Sequence, residues 1–356
     1  MPLPDPPERR FSAAQIRHVL ALRARLLDSV RRFFSSRGYL EVSVPVLGVA
    51  ADPAPAIEPM RTRLRLWDGS SRELYLQTSP EFFLKRLLAS GCERIYSIGP
   101  FFRDGEVTDR HNPEFFGLEW YCAGQAFHQM LDFCEEMFRE VTMDVAGKVR
   151  LERCGIGFEV GRPFLRLSVA QALRELAGVE VSEDWGEDSL RRALRRAGVA
   201  AGADDDVDDM VNRVLIERVE PALARLGPVM LHDYPMPMAA LARSRPENPA
   251  VAERFELFAG GLELCNGYGE LVDPAEQRRR FLAHVEIRRR LGRPAVPIDE
   301  ALLKAMEDGL PACCGCALGL DRWLMLLCGA ERIDEVMVFP LSLELGRAPD
   351  GATGSA

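Results

Sequence analysis

Arg103, Arg110, His111, Phe115 and Glu119 fall within one stretch, FFRDGEVTDRHNPEFFGLEWY, from Phe101 to Tyr121. The runs Ile95 to Phe102 and Glu114 to Tyr121 read as two strands around a polar loop rich in Asp and Arg, with a Gly, which predicts a β-hairpin. Such a hairpin holds Arg103 on one strand beside Phe115 on the other. A guanidinium binds phosphate oxygens bidentately, and a flat ring stacks on a base. Either residue alone would read as an exposed arginine or a core phenylalanine. Together they point to a nucleotide site built without a Gly-rich phosphate loop. Further along, Glu256 and Glu263 stand seven positions apart and bracket the Gly260-Gly261 turn, so neighbouring strands could aim both at one cation. Magnesium takes hard oxygens, usually one or two carboxylates plus phosphates, and the pair suits it. As isolated residues, these glutamates would read as solvated strand charges.

The elements that must position these groups are legible from periodicity. Ser12 with Gln15 fits a capping box, and Ile16, Val19, Leu20, Leu26, Leu27, Val30, Phe33 and Phe34 form the apolar stripe of a first helix, closed by Gly38. Strand-like runs at Leu64–Trp67, Leu74–Leu76, Ile95–Phe102, Val229–Leu231, Arg254–Phe258 and Leu262–Asn266 suit an antiparallel sheet. Helices near 80–90, 127–146, 275–291 and 322–328 would cover it, giving an α+β fold. From Asp184 to Leu226 the pattern changes to two helices around an acidic loop, DDDVDD, read as a surface insertion. A cation site there would lack the glycine and glutamate of an EF-hand.

Composition bounds the answer. With 356 residues, 47% of them hydrophobic, the chain can bury a sizeable core in one or two domains. A net charge of −9 is a poor background for holding nucleic acid through its phosphates. The basic runs Arg278–Arg280 and Arg288–Arg290 read as the solvated face of a helix. No signal peptide or membrane span is visible, and nine cysteines in irregular spacing fit a reducing cytosol. Cys313, Cys314 and Cys316 cluster without a second Cys pair or histidine at zinc spacing, so they read as small buried thiols in a strand.

The Phe101–Tyr121 segment resembles motif 2 of the class II aminoacyl-tRNA synthetases, with RHNPEF in the lysyl-type wording. Two further signatures stand in order: GYLEVSVP at 38–45 resembles motif 1, and ALGLDRWLML at 317–326 resembles motif 3, with Arg322 at a strand–helix junction. LQTSPEFFLKRL at 76–87 and ERFELFAGGLELCNGYGEL at 253–271 lie between them. The resemblance to lysyl-tRNA synthetase runs from Ser12 to Pro340 and is weakest between Gly186 and Gly227. Only a proline-rich stretch and one helix precede Gly38, which leaves no room for an anticodon-binding barrel. That combination resembles the elongation factor P–(R)-β-lysine ligase family. The resemblance implies a class II synthetase-like catalytic domain over 12–343, with the helical insertion at about 184–227 and disordered tails at 1–11 and 344–356. It implies ATP and Mg2+, activation of lysine or β-lysine as an adenylate, transfer to a lysine of elongation factor P, a cytoplasmic homodimer, and neither tRNA nor membrane as partner. Two other readings stand beside it. One is a truncated lysyl-tRNA synthetase that charges tRNA. The other is a non-catalytic regulatory paralogue, against which the intact Arg103, Arg110 and Arg322 argue.

The resemblance also assigns roles. Arg103 and Arg322 are the catalytic candidates. Arg103 would meet the ATP α-phosphate and the incoming carboxylate. Arg110 and His111 would meet the γ-phosphate, and Arg322 would reach it while stacking on adenine opposite Phe115. Glu106, Glu256 and Glu263 complete the ATP site, the last two through the metal. Ser79, Glu81, Glu119, Tyr121, Asn266, Tyr268, Glu270 and Ala317 would surround the amino acid. Glu270 and Tyr121 would take the side-chain ammonium, Glu81 and Glu119 would lie near the other amino group, and Asn266 would hold the carboxylate. Two ammonium groups in a dry pocket each need pairing, which explains the carboxylates. Three departures stand out. Ala317 replaces the glycine of the lysyl pattern, as in the protein ligases, which favours an amino group one carbon along and hence (R)-β-lysine. Glu106 comes one place late after Arg103. Phe116 replaces the usual threonine.

Overall fold

The computed structural model describes residues 12–345; of the tails expected at 1–11 and 344–356, the first and the part from 346 onward lie outside the described residues, while Glu344 belongs to a short helix and Leu345 caps it, contrary to expectation. Helix α1 (Ala13–Ser36) starts on the predicted capping box: Ser12 Oγ accepts from Gln15 N at 3.2 Å, and Gln15 Oε1 accepts from Ser12 N at 2.9 Å. It ends as expected at Gly38, whose φ of +76° lets the chain turn away. Leu22, Leu26, Val30, Phe33 and Phe34 are its buried stripe, while Leu20, expected inside, points outward.

The chain then runs through β1 (Leu40–Glu41), β2 (Leu47–Gly48), β3 (Arg61–Arg65), β4 (Ser71–Leu76), α2 (Glu81–Ala89), β5 (Arg94–Phe102), β6 (Glu114–Ala123) and α3 (Phe127–Ala146). Next come β7 (Arg150–Arg153), β8 (Ile156–Glu159), β9 (Leu165–Ser168), α4 (Val169–Ala177), α5 (Glu187–Arg196), α6 (Val207–Val214) and α7 (Glu220–Leu223). The remainder is β10 (Val229–Pro235), β11 (Val251–Ala259), β12 (Leu262–Gly269), α8 (Pro274–Arg290), α9 (Glu300–Gly309), β13 (Cys313–Gly319), α10 (Leu320–Cys328) and α11 (Leu341–Glu344). The strand expected at Leu64–Trp67 lies earlier, and Trp67 sits fully exposed beyond it, before a turn at Gly69. Helices α4, α9 and α11 were not expected.

One eight-stranded sheet, in the order β1-β5-β6-β13-β12-β11-β10-β9, organises the molecule. It is antiparallel except for the parallel pairs β1/β5 and β9/β10. On one face, α1, α3 and α10 bury Leu26, Phe34, Phe138 and Trp323 against Trp120 and Leu118. A fully buried side chain of this kind contributes about 1.5–3 kcal/mol. On the other face, α2, α8 and α9 cover only one end, through Leu84, Phe281 and Leu302 against Tyr121. The uncovered part of that face is where the candidate residues gather.

The stretch 184–227 is more than a surface appendage. Trp185, Leu194, Met210 and Val211 join Leu231, Tyr234 and Phe258 in a second apolar cluster on the β9–β11 end of the sheet. Its aspartates serve local structure: Asp205 accepts from Gly202 N and Arg213, each at 2.7 Å, and Asp206 caps α6 through Asp209 N. Cys313, Cys314 and Cys316 are buried in β13 as expected, and Cys316 meets Cys134 and Cys265 with sulfurs within 4.8 Å. No helix among the described residues is long and apolar enough to cross a membrane.

Candidate active site

The hairpin forms as the sequence predicts. Phe101 pairs with Phe115 across β5 and β6, and Arg103 N donates to Pro113 O at 2.9 Å. This register sets the Arg103 guanidinium carbon 5.2 Å from the centre of the Phe115 ring. A side chain at Gly117 would meet the Phe101 ring at 2.7 Å, so only glycine allows the strands to close here. Gly105, with φ +79°, turns the loop so that Glu106 comes back beside Arg103, 3.6 Å from its Nη1. The one-residue delay of Glu106 therefore does not remove it from the site.

Two cavities open on the exposed face of the sheet. The first, of about 150 Å³, is lined by Phe101, Arg103, Glu106, Arg110, His111, Phe115, Glu263 and Arg322, among others. The second, of about 320 Å³, is lined by Asp52, Ser79, Glu81, Arg254, Tyr268 and others. Arg103, Glu263, Asn266 and Ala317 belong to both walls. The first has the charge and ring of a nucleotide site, and in the second Glu81 and Glu263, each already facing a cationic side chain, are carboxylates suited to a cation.

Arg322 is held from two sides. Its guanidinium donates to Glu263 O at 2.8 Å and to His111 Nε2 at 2.6 Å. A guanidinium only donates, so Nε2 accepts and the ring proton sits on Nδ1, which faces Thr108 Oγ1 at 2.8 Å. Burial and the neighbouring Arg322 hold the His111 pKa below its ordinary value, consistent with a neutral ring. Arg110 lines the first cavity but is exposed. Asp321, the neighbour of Arg322, is buried and accepts from Arg23 and from Phe116 N at 2.6 Å. Phe116 thus docks motif 2 onto motif 3 through its backbone, while its side chain packs against the main core.

A bulge between Leu257 and Phe258 changes the side-chain count on β12 and brings Glu263 to the same cavity wall as Asn266, three residues on. The hard-oxygen set suits magnesium, but the two glutamates are not equivalent. Glu263 is half-exposed and shares only Oε2, at 3.3 Å, with Arg322. Glu256 lies behind the wall, accepting from Arg254 at 2.6 Å, Tyr234 at 2.6 Å and Asn266 at 3.2 Å. Glu263 therefore fits a cation directly, and Glu256 fits one once Arg254 or Asn266 releases it. Glu220, at the head of α7, is a further carboxylate that sequence reasoning missed. Its pKa is raised by burial and by Glu263 and Glu256.

Of the residues expected around the amino acid, Ser79, Glu81, Asn266, Tyr268 and Ala317 reach the second cavity, while Glu119, Tyr121 and Glu270 are buried and absent from its lining. Glu119 accepts from Ser79 at 2.7 Å and from Tyr121 at 2.8 Å. Burial, reinforced by Glu81, pushes its pKa up to about 8. The residue that sequence reasoning missed is Lys85. Its ammonium sits 2.5 Å from Glu81 and 2.6 Å from Glu270, with the side chain 1% exposed. Burial alone would lower the Lys85 pKa, but Glu270 and Glu81 outweigh it and raise it. Its signal was present: a lysine four residues after Glu81 in a chain whose other lysines are Lys148 and Lys304. Among the described residues, Glu270 Oε1 has no hydrogen-bond partner, nor do the buried Asn266 Oδ1 and Arg103 Nε. The Asn266 amide nitrogen, which would hold a carboxylate, is engaged by Glu256. A side chain at Gly315 would strike the Tyr121 ring at 2.2 Å and Glu270 Oε1 at 2.5 Å, so glycine is required here too.

This fold and site are those of a known class. The profile of the tRNA synthetases class II (D, K and N) matches residues 9–343, and the chain belongs to that family. Lysine–tRNA ligases of Carboxydothermus hydrogenoformans and Nitrosomonas europaea are 34% and 35% identical to it over 92% and 91% of the chain. The chain spans 66% and 64% of those relatives' own lengths, somewhat less than two thirds. The elongation factor P–(R)-β-lysine ligase of Vibrio cholerae is 36% identical over 90% of the chain and 94% of its own length, which places the chain within that group.

Proposed function

We propose that the chain uses ATP to activate a lysine-type amino acid, preferably (R)-β-lysine, as an aminoacyl-adenylate. It then transfers that group to a lysine side chain of elongation factor P, as a cytoplasmic homodimer. The observation that carries this reading is the junction of the two cavities at Arg103, Glu263, Asn266 and Ala317. A nucleotide in one and an amino acid in the other would meet there, α-phosphate to carboxylate. The near-complete coverage of the Vibrio ligase supports the choice of acceptor.

The chemistry asks mainly for positioning and charge neutralisation. A carboxylate oxygen attacks the α-phosphorus and pyrophosphate leaves, with no side-chain base needed. Arg103 neutralises charge on both reacting groups, and Phe115 carries the adenine. Arg322, braced by His111 and Glu263, and Arg110 face the outer phosphates. Magnesium held by Glu263, and by Glu256 on its release, would neutralise phosphate charge when bound. Exposed Leu40, Leu47 and Val49, in and after the motif 1 segment, supply the apolar strip for a second subunit.

Two results follow from the amino-acid end. Glu119 is mostly protonated at neutral pH in the free protein, and an arriving ammonium favours its ionised form. Calorimetry in buffers of different ionisation enthalpy should therefore show proton release on amino-acid binding at pH 7, with affinity rising up to about pH 8. Release that persists in Glu119→Gln would remove that assignment. Ala317 stands on the strand rung between Asn266 and Glu119, and its methyl crowds an α-amino group. Ala317→Gly should move the β-lysine over α-lysine preference in adenylation about tenfold or more toward α-lysine, the scale of one methyl in a fitted pocket.

The decisive experiment is intact-mass analysis of elongation factor P from the same organism, incubated with the protein, ATP, Mg2+ and either α-lysine or (R)-β-lysine. A parallel tube holds bulk tRNA. One lysyl-sized mass gain on the factor, faster with β-lysine, is expected. Charged tRNA with an unmodified factor would favour the synthetase reading instead.

A further inference from the structure

We infer that Asp52 is the base that deprotonates the acceptor's lysine ammonium and directs the amine to the activated carboxyl; this rests on the reading above. An ammonium has no lone pair, so amide formation from an adenylate requires a proton acceptor, whereas adenylate formation does not. The second cavity has one carboxylate placed to serve.

Asp52 lines the cavity that also presents Arg103, Asn266 and Ala317, the residues at the junction with the nucleotide side. Its Oδ1 accepts from Ala54 N at 3.0 Å, and its second oxygen has no hydrogen-bond or ion-pair partner among the described residues. The other carboxylates nearby are engaged: Glu81 by Lys85, Glu119 by Ser79 and Tyr121, Glu263 by Arg322, and Asp299 as the cap of α9. The loop that carries Asp52 is fixed on both sides. Ala51 packs with Tyr75 and Val296. Buried Arg288 donates to Ile57 O at 3.0 Å and to Glu58 at 2.6 Å, and Arg293 donates to Pro55 O. Such anchoring fixes the partly buried carboxylate in the cavity wall.

The charges facing Asp52 are Glu81 and Lys85 from α2 and Arg103 from the end of β5. Burial and Glu81 raise its pKa to about 6, against the pull of Lys85 and Arg103. A group of that strength is ionised at neutral pH and still holds a proton long enough to matter.

The step balances as follows. Asp52 takes one proton from the ammonium, and the freed lone pair forms the C–N bond to the adenylate carbonyl carbon. The C–O bond to phosphate breaks, AMP leaves with that electron pair, and the second nitrogen proton goes to the departing phosphate.

The test compares wild type with Asp52→Asn, which keeps an acceptor for Ala54 N. ATP–pyrophosphate exchange with β-lysine should stay within a few-fold, which also reports that the variant is folded. Single-turnover transfer to elongation factor P should fall on the order of a hundredfold or more, as expected for loss of a general base. Trapping of the adenylate by hydroxylamine, whose nitrogen is already neutral, should be unchanged. In wild type the transfer rate should fall below about pH 6, and this limb should vanish in the variant. Unchanged transfer, a parallel fall in hydroxamate formation, or a raised KM for β-lysine in exchange would each overturn the assignment. If wild type itself modifies no factor, the proposed function falls and takes this inference with it. If wild type transfers and the variant does so equally, only the inference falls.

Discussion

Replacing Lys85 with alanine should destabilise the protein by about 3–5 kcal/mol, the cost of stripping one partner from a buried ion pair. The lysine is 1% exposed and sits between Glu81 and Glu270, so the variant leaves two carboxylates facing each other in a dry space. Urea unfolding of wild type and variant measures the effect directly. Its pH dependence has a definite sign. Without Lys85 the buried Glu270 binds its proton more tightly in the fold than in the unfolded chain. Stability is then lost as pH rises, and the deficit should be larger at pH 8 than at pH 5. Adding Glu270→Gln should restore part of the loss, because it removes one of the stranded charges. A deficit under 1 kcal/mol, or one independent of pH, would mean that the pocket admits enough water to solvate the carboxylates.

Arg103→Ala should act oppositely, sparing the fold and removing activation. The ion pair Arg103 makes among the described residues, with Glu106 at 3.6 Å, is long and partly exposed, so its loss should cost less than about 1 kcal/mol of stability. Its guanidinium borders both cavities, where on the proposed function charge would build up as carboxylate meets phosphate. Pyrophosphate exchange should drop about 10²–10³-fold, the usual scale for losing a preorganised group that stabilises developing charge. Arg103→Lys should recover little, since a point charge cannot serve two oxygens in a plane. Retained exchange in either variant would shift the catalytic assignment to Arg322.

Much of this was legible because it is local. The β5–β6 hairpin, the Arg103–Phe115 pairing and the Ser12 capping box depend on residues near one another in sequence, where period and spacing carry the information. What escaped depends on distant partners. Nothing near Glu270 announces that Lys85, far upstream, will meet it, nor that Glu256 is shielded by Tyr234 and Arg254. The stretch 184–227 reads as polar and helical, yet its apolar residues share a core with β10 and β11. Nor does the sequence show that Glu119, Tyr121 and Glu270, expected at the substrate, are fully buried and absent from the second cavity's lining.

Glu119, Ala317 and Asn266 occupy one continuous rung across β6, β13 and β12. Sliding β13 by a single residue would replace Ala317 by Leu318 or Cys316 and turn the rung's central side chain to the opposite face. On the proposed function the sheet would work as a gauge whose divisions are hydrogen bonds, with the amino acid's length measured across strands. A change in the amino acid accepted would then be expected to involve the rung itself, where one residue of register decides which side chain faces the cavity.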